Sequence, residues 1–278
     1  MKVTTDMMNF DNLFSVRGKV ALVTGGSRGI GEMIAAGFVA GGAKVYISSR
    51  KAEACEATAQ RISQQHGGTC IALPADLSRM DGVYSLAERL KAAEPKLDVL
   101  VNNAGAAWGA PIESFPEVGW DKVMDTNVKA VFFLTQQLLP LLRAAGAATG
   151  DGASPARVIN IGSIDGLKSA IFDTFSYGAS KAAVHHLTRF LASHLTKDRI
   201  LCNAIAPGPF PTWMLSTGVG FGGKTDGVDW DVIGSRNPSG RVGTPQDIAG
   251  LAIFLSSRAG EYVVGQTIAC DGGVVGTS

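Results

Sequence analysis

Little in this chain suits a charged partner, a cross-linked scaffold or a membrane. Its 278 residues carry 25 Lys and Arg against 24 Asp and Glu, a formal net charge of +1. A chain so near neutral has no overall field to attract nucleic acid or anionic lipid, and no cluster of basic residues makes a local one. Cysteine is scarce: Cys55, Cys70, Cys202 and Cys270 stand far apart and form no CxxC pair. That speaks against a disulfide framework or a zinc site and for thiols in a reducing compartment. Long apolar runs are missing too. The most apolar stretch, 128–142, is broken by Lys129, Gln136, Gln137 and Pro140, so it falls short of the ~20 apolar residues of a membrane span. The first 14 residues hold Asp6 and Asp11 and lack the basic-then-apolar order of a signal peptide, so a cytoplasmic protein is expected.

What is present is apolar and glycine-rich: 46% hydrophobic residues and 35 glycines, the composition of a compact chain with a large core and many tight turns. Short apolar runs at 20–23, 45–48, 70–73, 99–101, 158–161, 201–206 and 267–270 alternate with helical spacing at 30–40, 52–65, 83–93, 120–144, 177–195 and 245–255. Continuous apolar strands separated by helices imply an α/β fold, a doubly wound parallel sheet of about seven strands with helices on both faces. Residues 1–17 read as an arm and 18–278 as a single domain. The small-residue stretch 146–155 reads as a surface excursion. The irregular stretch 216–240 is long for a connection, which suits a substrate-binding loop or lid.

Val20-Ala21-Leu22-Val23 runs into Thr24-Gly25-Gly26-Ser27-Arg28-Gly29-Ile30-Gly31, after which the spacing turns helical. In a strand-turn-helix, glycines let the backbone approach a phosphate, and the helix start turns unpaired N–H groups and its positive dipole end toward the anion. The spacing is GxxxGxG, not GxGxxG. Where an NAD site places an acid at the end of the second strand, this chain has Ser49-Arg50-Lys51. Arg28 and Arg50 can instead bracket a 2′-phosphate with forked, charged donors, so NADPH is expected over NADH. Asp76, followed by Leu77, is either a partner for the adenine amino group or a helix N-cap.

Tyr177-Gly178-Ala179-Ser180-Lys181 opens a helix, and the i,i+4 spacing sets phenol and ammonium on one face, roughly 5–6 Å apart at Cβ. A cation beside a tyrosine favours tyrosinate and lowers its pKa toward a useful range. Together with the glycine turn, Asn102-Asn103-Ala104-Gly105, Asn127, Ser163 and Pro207-Gly208, in this order from about Gly18 to Gly273, the chain resembles the short-chain dehydrogenase/reductase family. The resemblance implies a Rossmann-type fold, an NADP-dependent oxidoreductase and a homotetramer joined through the helices of Asn127 and Tyr177 and the last strand. It implies that Tyr177 protonates a carbonyl oxygen that receives hydride from the nicotinamide. Lys181 would hold the nicotinamide ribose and lower the phenol pKa, Ser163 would hydrogen-bond the substrate oxygen, and Asn127 would position a water linking Lys181 to solvent. Gly25, Ser27, Arg28, Gly29, Ile30, Gly31, Arg50, Asp76 and Leu77 would line the phosphate and adenosine side. Asn103, Ala104 and Gly105 would flank the ribose, and Pro207, Gly208, Phe210 and Thr212 would border the nicotinamide.

Trp108, Phe172, Phe175, Trp213 and Met214, with Phe210, give an aromatic and aliphatic pocket that suits an apolar ketone better than a sugar. Within the family, through Ser49-Arg50-Lys51-Ala52-Glu53-Ala54-Cys55 and Gln136-Gln137-Leu138-Leu139-Pro140-Leu141-Leu142, the chain resembles reductases of 3-oxoacyl groups of the rhamnolipid-synthesis kind. The rival readings are an NAD(P)-dependent alcohol dehydrogenase working in oxidation, and a dinucleotide-binding sensor without turnover. His185, His186 and His194 follow Lys181 without HExxH spacing or a carboxylate set, so no metal is expected and they read as ordinary helix residues.

Overall fold

The computed structural model describes residues 10–148, 153–169, 172–217 and 228–277. Seven strands, β1 (Val20–Thr24), β2 (Lys44–Ser48), β3 (Thr69–Ala72), β4 (Val99–Asn102), β5 (Ala156–Ile161), β6 (Ile200–Pro207) and β7 (Thr267–Cys270), form one sheet in the order β3-β2-β1-β4-β5-β6-β7. Every pairing is parallel, with Leu22 opposite Tyr46 and Leu100, and Val158 opposite Leu100 and Cys202. The expected doubly wound sheet is present.

Ten α-helices lie among the described residues: α1 (Phe10–Leu13), α2 (Gly29–Ala40), α3 (Ala52–His66), α4 (Met80–Ala93), α5 (Glu117–Met124), α6 (Ala130–Gly146), α7 (Phe175–Leu195), α8 (Trp213–Thr217), α9 (Trp230–Ser235) and α10 (Pro245–Ser256). Alternate strand residues feed two cores. Ala21, Val23, Val45 and Ile47 pack with α2, α3 and α10 on one face, and Leu22, Tyr46, Leu100 and Val158 with α4, α6 and α7 on the other. Period-two alternation of side chains on fully apolar strands produces this division. Local signals set the ends: Pro245 at the start of α10 behind a Thr244/Asp247 capping box, which satisfies backbone groups that a helix start leaves open, and Gly67, whose left-handed conformation closes α3.

Three parts differ from the sequence reading. The one helix expected over 120–144 begins at Glu117 and is interrupted by a π-helical turn at Asp125–Lys129. The apolar period continues through that wider turn, which is why spacing does not reveal it. The arm 1–17 includes α1, and Val16 is buried against Gly41. The expected loop 216–240 holds the end of α8 and all of α9, its centre lying outside the described residues; so does part of the 146–155 excursion.

Strand order reverses between β1 and β4, because the chain winds from β1 to β3 in one direction and from β4 to β7 in the other. In open α/β sheets the crevice outside the carboxyl ends of the strands at such a point takes the ligand. The segments following β1, β4 and β5 carry the residues discussed next.

Candidate active site

At the end of β1, Gly25 and Gly29 adopt φ of +64° and +58°, a left-handed region that side chains resist. A Cβ on Gly25 would meet Asn103 Nδ2 at 2.8 Å, and one on Gly31 would overlap Asn103 Nδ2 and the Gly25 carbonyl. The turn thus needs glycine both for its path and for its closeness to the β4 segment. Thr24 ties the two together: its Oγ1 accepts from the Asn103 and Ala104 N–H groups at 2.9 and 3.0 Å, while Asn103 Nδ2 donates to the Thr24 carbonyl at 2.8 Å. Asn103 is therefore spent on bracing the turn. Ser27 offers its carbonyl to Thr58 Oγ1 at 3.1 Å, and Ile30 packs on the core from the first turn of α2.

Arg28 and Arg50 are both exposed and close enough that Arg50 depresses the Arg28 pKa, second to burial. Arg28 lies over the Trp213 ring, 4.1 Å from its centroid. Neither guanidinium has a carboxylate partner among the described residues. Two like charges brought together without a counter-ion favour a bound anion. Asp76 accepts from Ser78 N and Ser78 Oγ at 3.1 and 2.8 Å, and the N-cap of α4 is Arg79, so the capping alternative for Asp76 falls. Leu77 is buried in the second core.

The second half of the site is built on β5, the π turn and α7. Lys181 is buried, and its ammonium donates to the Ile161 carbonyl at 2.8 Å. That is the one hydrogen bond it makes among the described residues, so two of its three donors are left for a ligand. Burial pushes its pKa down to about 8. Lys181 Nζ lies 5.4 Å from the Tyr177 ring centroid. Tyr177 is half-buried, and the phenol pKa goes up, not down, to about 12: burial dominates, the neighbouring Ser163 hydroxyl pulls back and Asp165 adds to the rise. The lowering by Lys181 that the spacing predicts is not what acts on the phenol: burial sets the direction, and the one opposing pull is that of Ser163. The Ser163 oxygen accepts from Asp165 N at 3.1 Å, which leaves the hydroxyl proton free to donate. Asp165 itself, two residues past Ser163, has its carboxyl raised by burial against the opposing pull of Lys168.

Asn127 is held in the π turn, 1% exposed, and its amide is fully engaged. Oδ1 accepts from Ala106 N at 2.8 Å, and Nδ2 donates to the Ala106 carbonyl and to Ser180 Oγ, each at 2.9 Å. Ser180 Oγ in turn donates to the Tyr177 carbonyl at 2.7 Å. This clamp fastens the β4 loop to α7. Sequence reading missed Ser180 and Asp165; the one stands beside Lys181 in the YxxxK run, the other in the turn after Ser163. Gly105 completes the wall, a Cβ there lying 3.3 Å from Asn127 Oδ1 and 3.7 Å from Lys181 Nζ.

Pro207 ends β6, and Gly208 backs onto Asp271, where a Cβ would come within 2.7 Å. Thr212 Cγ2 lies 3.2 Å from where a Cβ on Gly29 would stand. This brings the β6 loop to the glycine turn. Phe210 is buried with its ring against Gly243, so its ring is taken up by the core and does not line the cleft. Trp108 packs on Gly119, with Lys122 Nζ 5.3 Å from its ring centroid. Phe175 stacks edge-on to Phe115, whose other neighbour is Trp120. Trp213 and Met214 are exposed on α8 and Phe172 is half-buried.

Glycine turn, YxxxK pair, serine and clamped asparagine converge on one crevice, and comparison with known proteins decides what that constellation is. The family model described as "Enoyl-(Acyl carrier protein) reductase" matches residues 25–275. The chain is a short-chain dehydrogenase/reductase. This oxidoreductase is 48% identical over 260 residues to the rhamnolipids biosynthesis 3-oxoacyl-[acyl-carrier-protein] reductase of Pseudomonas aeruginosa, covering 94% of this chain and 97% of that one. It is 34% identical to the gluconate 5-dehydrogenase of Gluconobacter oxydans, over 96% and 98% of the two chains. Among solved structures it resembles the Pseudomonas aeruginosa RhlG/NADP active-site complex, with a TM-score of 0.85 and 47% identity, covering 96% of this chain and 99% of that one.

Among the described residues no group of three or more His, Cys, Asp or Glu side chains could hold a metal ion, and no helix is long and apolar enough to cross a membrane. The four cysteines are free; burial pushes Cys70 and Cys202 up to about 12.

Proposed function

We propose that this short-chain dehydrogenase/reductase is an NADPH-dependent carbonyl reductase acting on a hydrophobic ketone, a 3-oxoacyl thioester above all, with Tyr177 as proton donor. The observation that carries the reading is the paired arginines, Arg28 and Arg50, without a carboxylate between them, set at the phosphate turn of a site that ends in Tyr177 and Lys181. The residues fit NADPH: a glycine cradle that a Cβ would fill, two cations for a 2′-phosphate and a buried ammonium with donors to spare. When bound, the nicotinamide supplies the hydride. The protein's share is the proton and the charge. Ser163 donates from Oγ to the carbonyl oxygen and favours the negative charge that develops there. Tyr177 holds its proton at Oη and gives it to the same oxygen. Lys181 would hold the ribose hydroxyls with its remaining donors, and it keeps a positive charge beside the phenol ring. The side chain of Asn127 fixes the β4 loop on α7, so a water linking Lys181 to solvent would rest on its backbone carbonyl.

A phenol pushed up to about 12 is an acid held protonated at neutral pH, which favours reduction over the oxidation that needs a base. The relative's name, a 3-oxoacyl-[acyl-carrier-protein] reductase, and the aromatic side chains Phe175, Trp213 and Phe172 support the acyl ketone; a sugar would need many polar partners. The test is NADPH oxidation across ketones, β-ketoesters, acyl thioesters and sugar acids, followed against pH with the best substrate. Acyl thioesters or β-ketoesters are expected to lead. kcat/KM is expected to stay level below neutrality and fall as pH rises through about 8, where Lys181 loses its proton. A preference for sugar acids, or activity that rises through that range, would overturn the reading.

We further propose a cytoplasmic homotetramer. Supporting it, α6 and α7 carry exposed aromatic residues, Phe132 and Phe190, the latter between His186 and His194. Light scattering should give the mass of four chains, and a stable monomer would contradict it.

A further inference from the structure

The most unusual buried side chain near the site belongs to none of the roles above. His185 is 2% exposed, and neither ring nitrogen makes a well-formed hydrogen bond, although the Gly166 backbone stands close enough to act on the ring. A polar ring buried this way is disfavoured unless something else requires it. It stands one helical turn after Lys181 and two after Tyr177, on the same face of α7. Its ring lies against the two glycines that flank Ser163. A Cβ on Gly162 would overlap Nε2, and one on Gly166 would come within 2.9 Å of Cε1. Neither glycine has a positive φ, so at Gly162 it is the ring that demands glycine, while at Gly166 the α7 backbone at Lys181 and Ala182, 2.6 Å from such a Cβ, demands it together with the ring. Around it the backbone is pinned: Gly162 N donates to the Ile205 carbonyl at 2.7 Å, Gly166 N to the Ser163 carbonyl at 3.0 Å, and Lys181 to the Ile161 carbonyl.

We propose that His185 is a positioning residue, a thin planar shim on α7 that sets the Gly162–Gly166 turn, and with it Ser163 Oγ and the Ile161 carbonyl, against Tyr177 and Lys181. A flat five-membered ring fits between two glycines where a branched aliphatic side chain would not. Burial keeps the ring neutral, pushing its pKa down to about 4, with Lys181 and Arg189 acting in the same direction and the Gly166 backbone against it; a neutral ring adds no charge beside Lys181. The kinetic part of this proposal rests on the carbonyl-reductase reading, and the packing part does not.

A double-mutant cycle between Gly162→Ala and His185→Ala tests it, read by NADPH-driven turnover, NADPH affinity and thermal melting of the cofactor-free protein. His185→Ala alone should lower kcat by about tenfold with NADPH affinity unchanged, and Gly162→Ala should lower kcat by about 30-fold or more and depress Tm. With the ring removed the new methyl has room, so the double variant should melt above Gly162→Ala and turn over close to His185→Ala. If Gly162→Ala yields no folded protein, recovery of folded protein in the double variant is the same coupling. Additive losses in both readouts, or a coupling in Tm with kcat unchanged by His185→Ala, would overturn the positioning role. Absence of any NADPH-driven turnover in the unaltered protein would instead remove the reductase reading, while the Tm cycle would still report on the packing.

Discussion

Replacing Tyr177 with phenylalanine should lower kcat for NADPH-driven ketone reduction by about 10³-fold, within the range that positioned proton transfer contributes. Affinity for NADPH should stay within about twofold, because the phenol's contribution is made in the transition state. The physical ground is the pairing of a phenol held protonated by burial with a neighbouring Ser163 hydroxyl that accepts from Asp165 N and keeps its own proton to donate. Phenylalanine keeps the ring and its packing and removes only the hydroxyl. Stopped-flow turnover and NADPH fluorescence titration separate the two quantities. Full activity in this variant would mean that the proton comes from elsewhere; loss of NADPH binding along with activity would mean that the hydroxyl holds the cofactor and is not only a proton donor. The non-catalytic sensor reading makes a different forecast, since it expects no turnover in the unaltered protein either.

The second large effect concerns cofactor choice. Each guanidinium that meets a 2′-phosphate through charge-assisted hydrogen bonds is worth about 1.5–3 kcal/mol, so Arg28→Ala or Arg50→Ala should each cost NADPH affinity roughly 10- to 150-fold. Affinity for NADH should barely move, or rise slightly as the mutual repulsion of the two cations is relieved. The double variant should be close to indifferent between the cofactors. Arg28 has a second neighbour in Trp213, so Arg28→Ala should also alter tryptophan emission, whereas Arg50→Ala should not. Titration of both cofactors into all three variants checks this, and an equal loss for NADPH and NADH would show that the arginines act on something shared, such as the pyrophosphate.

Much of the fold was legible because its signals are local. Each of the seven strands is a short apolar run between helical segments, and all seven stand where spacing put them to within a residue or two. Five features were not legible, each for a physical reason. The π turn at Asp125–Lys129 keeps an apolar period, so nothing in the pattern marks the wide turn that carries Asn127. Asp76 precedes a helix at the right distance for a cap, but an Asx-type bond to Ser78 wins locally. Phe210 sits in a loop beside the cleft, yet a large apolar ring finds more contact in the core against Gly243. The phenol of Tyr177 looked activated by its lysine, whereas desolvation acts on both groups and moves them in opposite directions. His185 looked like any helix residue; its place on the Tyr177 and Lys181 face was available from the i,i+4 count, but the two glycines it meets come from another part of the chain.

The most direct test of the central claim is a single comparison: kcat/KM of the unaltered protein for NADPH and for NADH on the same 3-oxoacyl thioester at neutral pH. The paired arginines and the protonated tyrosine predict efficient reduction with NADPH and a preference over NADH of about 100-fold or more, the sum of two phosphate contacts. Equal use of the two cofactors, or a preference for NADH, would contradict it.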